Sequence, residues 1–161
     1  MQVLDASSAI YAWDNYPIEQ FPPLWKWLGI QVQGTSLTIP AVAFDEVAHV
    51  APDCGEWLKE HDVQRLAVSN MILTSALSIK ARLKIVGENY HVKGVGENDI
   101  LIIATARAYH GELISDESRQ KLVPDVMAKR KIPSVCAMPE VAIPCINFLS
   151  SSSDLKWFLV S

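Results

Sequence analysis

The sequence contains no apolar run near the roughly 20 residues that a membrane-crossing helix needs, so a protein that folds in water is expected. Its opening, Met1-Gln2-Val3-Leu4-Asp5, has no basic flank, and an aspartate interrupts the apolar run almost at once, which argues against a secretory leader. Cysteine is scarce: Cys54, Cys136 and Cys145 are an odd set without C-x-x-C spacing. They fit neither a zinc ribbon nor a disulfide frame and read as reduced thiols of a cytoplasmic protein. Four histidines, His49, His61, His91 and His110, are scattered with no pair at metal-ligand spacing. No G-x-x-x-x-G-K phosphate loop occurs. Positive charge is not in excess either. With 14 Lys and Arg against 18 Asp and Glu, the net charge is -4, which does not advertise a nucleic-acid binder. It does not exclude one, because an enzyme that gathers carboxylates around a metal carries surplus acid without it.

What is present suits one domain spanning residues 1–161, half hydrophobic and one-fifth charged. Strand signals at Val3-Leu4, Leu37-Thr38-Ile39, Glu112 to Ser115 and Ile143 to Asn147 alternate with helical ones. Ser7 or Ser8 caps a first helix that ends by Pro17. A second begins at Leu24 and closes at Gly29 or Gly34, and a third runs from Val42 to Val50 until Pro52-Asp53 breaks it. Short helical turns follow at Glu56 to Glu60, then longer helices at Asn70 to Ile85 and Asp99 to Tyr109, the latter capped by Asn98. Residues 120–141 read as irregular, and Asp154 to Val160 as a last helix. Strands alternating with helices predict an α/β fold, three layers deep, with a mostly parallel central sheet. The tryptophans sit in helix-like stretches and read as packing residues.

The placement of four acids draws attention to chemistry. Ligands of open parallel sheets bind beyond the carboxyl ends of the strands. Asp5 and Asp116 stand at such ends, and Glu46 and Asp99 stand near the starts of helices that can point to the same edge. Each has a plain structural alternative: a cap, a turn, a solvated face. Brought together, four carboxylates would repel one another unless a hard divalent cation, Mg2+ or Mn2+, lay among them. Such a site orients and ionises a water and stabilises charge on a phosphodiester.

The joint pattern resembles PIN-domain proteins. Val3-Leu4-Asp5-Ala6-Ser7-Ser8 is similar to their opening, Pro40 with Glu46 to their glutamate helix, Asn98-Asp99 through Ala104-Thr105-Ala106 to their aspartate helix, and Leu113 to Glu117 to the strand that follows. The segments Phe21 to Leu28, Ile132 to Cys136 and Ile143 to Asn147 look like a less characterised PIN subfamily, so the resemblance spans nearly the whole chain. It implies an endoribonuclease using Mg2+ or Mn2+, with Asp5, Glu46, Asp99 and Asp116 as catalytic metal ligands. Asp99 is taken from the Glu97-Asn98-Asp99 run because the Ala-Thr-Ala register aligns on it. Ser7, Glu97, Asn98 and Glu117 would support them. The resemblance further implies a VapC-type toxin with an RNA substrate, a cognate antitoxin and a homodimer. Lys129-Arg130-Lys131 is a candidate RNA-facing group, with solvated surface as the plain alternative; Lys80, Arg82, Lys84 and Lys93 form a second basic group of the same kind.

Two rival readings are weaker. A haloacid-dehalogenase-type phosphatase wants an aspartate where Ser7 stands, and a response-regulator receiver wants adjacent acids and a late lysine that are not convincing here. A PIN-like fold used only for binding or assembly is the remaining alternative. Retention of all four acids argues against it.

Overall fold

The structure, a computed structural model, describes residues 1–152. Five short strands form one sheet: β1 (Gln2–Leu4), β2 (Leu37–Pro40), β3 (Arg65–Leu66), β4 (Glu112–Ile114) and β5 (Cys145–Ile146), in the order β3-β2-β1-β4-β5. All four pairings are parallel, and Val3 of β1 lies between Thr38 and Leu113. Val3, Ile39 and Leu113 are wholly buried, as expected of strands covered on both faces.

Among the described residues, eight helices flank the sheet: α1 (Ala6–Asn15), α2 (Pro22–Gln33), α3 (Ala41–Val50), α4 (Pro52–Glu60), α5 (Asn70–Arg82), α6 (Glu97–Ala108), α7 (Ile132–Cys136) and α8 (Phe148–Ser151). The α6 helix packs on β1 and β4 and is backed by α5 and α3. That position explains its composition, since Ile100 and every residue from Ile102 to Ala106 is buried. The tryptophans are packing residues. Trp25 meets Trp13 and Trp57 edge-on, with ring centroids 5.2 and 4.9 Å apart, and its indole N–H donates to the Tyr16 carbonyl at 2.6 Å. No helix among the described residues is long and apolar enough to cross a membrane.

The architecture matches the α/β expectation, and the departures have local causes. Ser7 and Ser8 do not cap α1; the helix begins one residue after Asp5, and both hydroxyls bond to acids instead. Gly29 lies inside α2, which runs on to Gly34. Pro52 opens α4 rather than merely ending α3, because the first helical position needs no backbone N–H. Gly96, not Asn98, precedes α6. At two residues, β3 is too short to display alternation, and α7 lies in a stretch whose prolines suggested irregularity. The helix expected at Asp154 to Val160, and Trp157, lie outside the described residues.

One loop contact ties two of these elements together. A Cβ on Gly94 would stand 1.8 Å from the Ala128 carbonyl oxygen, so only glycine allows this approach. Beside it the Val95 N–H donates to the Arg130 carbonyl at 3.0 Å. The start of α6 and the segment leading into α7 are thereby joined backbone to backbone.

Candidate active site

In the strand order, the chain leaves β1 toward β2 on one side and later returns to β4 on the other. This is the topological switch where open parallel sheets bind ligands. Asp5 follows β1 directly and is only 3 % exposed. Its Oδ2 accepts hydrogen bonds from Ser7 Oγ at 2.5 Å and from Ser115 Oγ, just past β4, at 2.9 Å. Ser7 also accepts from the Asp116 N–H at 3.0 Å, so one hydroxyl joins the ends of both strands. Burial raises the Asp5 pKa, the two serine donors pull against that, and the Asp99 charge adds to the rise.

Asp99 reaches the site from the first turn of α6. Its Oδ2 accepts the Gly96 N–H at 2.9 Å. Burial lifts its pKa, while that N–H and the Lys131 charge act against the lift. Glu46, on α3, keeps much of its surface in solvent. Its pKa is nonetheless raised, by partial burial first and then by Asp5 and Asp99. Glu117 is anchored by the Ile132 N–H at the head of α7, 3.1 Å from its Oε2. Burial and the charges of Asp99 and Asp5 push it up to about 7, with the Ile132 N–H and Lys131 opposing.

Past β4, Glu117 feels the charges of Asp99 and Asp5, and Asp116, which sequence reasoning placed among the ligands, is engaged by other partners. Asp116 Oδ2 accepts from Ser8 Oγ at 2.6 Å and from the Phe148 N–H at 3.2 Å, which makes it a clasp between α1 and α8. Glu97 and Asn98 are exposed on the first turn of α6, and among the described residues neither hydrogen-bonds to the acids. The basic group divides. Lys131 acts on Asp99 and Glu117 through its charge, and Arg130 turns to the Pro124 carbonyl, 3.1 Å from its Nε. Lys129 carries its carbonyl to Gln120 Nε2 at 3.1 Å. Sequence reasoning also missed Ser115, although a small hydroxyl residue at a strand end beside an acid was its available signal.

Oxygen is the sole donor type of Asp5, Glu46, Asp99, Glu117 and Ser7, which suits a hard divalent cation. Among the described residues, no three Asp, Glu, His or Cys side chains stand close enough to enclose an ion by themselves. By chemistry alone, all-oxygen donors suit a hydrated Mg2+ or Mn2+ held partly through water rather than a closed zinc-type cage.

The field of these acids has a pH signature. Without metal, Glu117 holds its proton up to about 7 in the folded protein but loses it near 4.5 in the unfolded chain. The stability this adds is complete below about 4.5 and is lost as pH rises through about 7. The Tm of metal-free protein should fall across that window, and Glu117→Gln should flatten the fall. A Tm climbing through the window would show that Glu117 ionises freely.

Comparison with known proteins agrees with this geometry at the level of fold. A chain of the crystal structure of VapBC2 from Rickettsia felis, bound to a DNA fragment from their promoter, superposes with a TM-score of 0.54 at 14 % identity, covering 91 % of this chain and 98 % of that one. The fold is PIN-like. No curated protein matches the sequence. One family model does, the domain of unknown function DUF4411, over residues 2–157, and the chain belongs to that family.

Proposed function

We propose that this protein is a metal-dependent endoribonuclease and the toxin of a toxin–antitoxin pair, acting in the cytoplasm. The observation that carries the reading is the placement of Asp5 and Glu117 just past the ends of β1 and β4, linked through Ser115 and Ile132, with Asp99 opening α6 and Glu46 on α3. Burial raises the proton affinity of each, and the charge of Asp99 adds to the rise at Asp5, Glu46 and Glu117, as does that of Asp5 at Glu46 and Glu117. Among the described residues, the single carboxylate ion pair lies elsewhere, between Lys59 and Glu56. Buried acids left in such a field are costly to keep for structure alone.

Asp5, Glu46, Asp99 and Glu117 would hold Mg2+ or Mn2+, which would ionise a water and offset the charge growing on the phosphodiester. The remaining work belongs to the chain. Ser7 and Ser115 fix the orientation of the Asp5 carboxylate by donating to the same oxygen. Main-chain N–H groups of Gly96 and Ile132 hold Asp99 and Glu117, so two acids are aimed by backbone rather than by mobile side chains. Lys131 moderates the negative charge at Asp99 and Glu117. RNA as substrate, an antitoxin partner and a homodimer are supported by the resemblance to VapC-type proteins.

The test is cleavage of single-stranded and structured RNAs with Mn2+, Mg2+ or EDTA, beside Asp99→Asn. Cutting that needs metal and disappears in the variant is the expected result. Cutting that persists in the variant or in EDTA removes the acids from the chemistry. No cutting of any RNA favours a PIN-fold module that binds without hydrolysis.

A further inference from the structure

A second feature shares a wall with the acids. An open cavity of about 340 Å³ is lined by Arg119, Arg130, Val123, Pro133, Met138 and Pro139. Its wall is α7 and the segment after β4. The Ile132 N–H that anchors Glu117 lies one residue before Pro133, and Arg119 Nη1 donates to the carbonyls of Ser115 at 3.1 Å and Glu117 at 3.3 Å. The site and the cavity are thus two sides of one piece of backbone.

Both arginines are held in place yet retain free donors. Arg119 spends Nη1 on those two carbonyls and one Nη2 donor on Cys145 Sγ at 3.9 Å, and Arg130 spends only Nε, on Pro124. A guanidinium carries five N–H donors. Among the described residues neither arginine pairs with a carboxylate. Gln120 stiffens the rim, donating to the Lys129 carbonyl at 3.1 Å and accepting the Lys131 N–H at 2.9 Å. Two positioned guanidiniums suit a phosphate, which they recognise through paired N–H bonds. Val123, Pro133, Met138 and Pro139 offer an apolar wall for the face of a base. The volume lies at the low end of small-ligand sites, about 300–1,000 Å³, which admits one nucleotide rather than a stretch of strand.

We propose that this cavity seats one nucleotide of a single-stranded RNA, with its phosphate on Arg119 and Arg130 and its base against the apolar wall. The inference rests on the ribonuclease reading and names where the strand stands beside the acids. Duplex RNA does not suit it, because paired bases cannot reach such a wall.

The test separates binding from cleavage. In EDTA, where the proposed chemistry is silent, anisotropy of a labelled single-stranded RNA of about eight nucleotides is followed against salt. Arg119→Gln/Arg130→Gln should weaken binding on the order of tenfold and reduce the salt slope by about 0.7 for each phosphate that is no longer neutralised. Arg119→Lys/Arg130→Lys, which keeps charge without the fork, should recover the slope but only part of the affinity. Lys26→Ala, at an exposed position of α2, should change nothing, and an unaltered Tm certifies that each variant folds. Equal RNA affinity and slope in the glutamine pair overturns the proposal. So does an arginine-dependent site that takes free AMP or inorganic phosphate while RNA binding ignores the arginines. Arginine-dependent RNA binding without metal-dependent cutting would keep the cavity and discard the nuclease. Cutting with no arginine effect would do the reverse.

Discussion

Asp5→Asn is expected to lower metal-dependent RNA cleavage by roughly 10²–10³-fold, because removing a ligand of the proposed metal would take away several kcal/mol of transition-state stabilisation. The same change should leave the metal-free Tm unchanged or raised. The asparagine is isosteric, and its carbonyl oxygen still accepts from Ser7 or Ser115, the two donors that now share one carboxylate oxygen. What disappears is a nearly buried negative charge that burial and Asp99 already oppose. Function and stability should therefore move in opposite directions. Initial rates in Mn2+ and melting in EDTA measure the two. Undiminished cutting would free Asp5 from the chemistry, and a large drop in Tm would make it a structural residue.

The second large effect separates neighbours. Glu117→Gln should cost cleavage about 10²–10³-fold and firm the metal-free fold. Asp116→Ala should do the opposite. It strips the acceptor from the fully buried Ser8 hydroxyl and from the Phe148 N–H. Each orphaned group costs about 1–3 kcal/mol. A total of about 2–6 kcal/mol corresponds to a Tm lower by roughly 4–24 °C at this chain length. Below that lowered Tm, cleavage by Asp116→Ala should stay within a few-fold of the parent. If instead Asp116→Ala abolished cutting and Glu117→Gln did not, the sequence-based assignment of Asp116 would be restored.

That pair also marks where sequence reasoning reached its limit. Val3-Leu4 before Asp5 and Leu113-Ile114 before Ser115 announced buried strands that deliver polar residues at their ends, and the sheet has them. Which acid turns inward is a matter of a single residue. Successive side chains on an extended segment alternate sides, so Ser115 and Glu117 share one side and Asp116 takes the other. Leu113 and Ile114 are both buried, so hydrophobicity carried no phase with which to choose. The place of Asp99 in the first turn of α6 was legible because the apolar run follows it directly. The cavity was not legible at all. Arg119 and Arg130 are joined through carbonyls of Ser115, Glu117 and Pro124, and main-chain acceptors leave no trace in residue identity. The same holds for the close approach of Gly94 to Ala128, which looks in the sequence like any loop glycine.

The pairing of β1 with β4 sets the order of events during synthesis. Asp5 is made well before Ser115, whose hydroxyl holds it and which lies 110 positions later. At about 5–20 residues per second, the ribosome needs roughly 5–20 s to deliver that partner. Until then the growing chain carries Asp5 and Glu46 with no Glu117 to complete the set and no β4 beside β1. Closing so long a loop is also slow, since its entropy cost precedes any contact that rewards it. A chain interrupted before β4 thus lacks Glu117 and the Ser115 donor to Asp5, and the acids assemble only once that strand has docked.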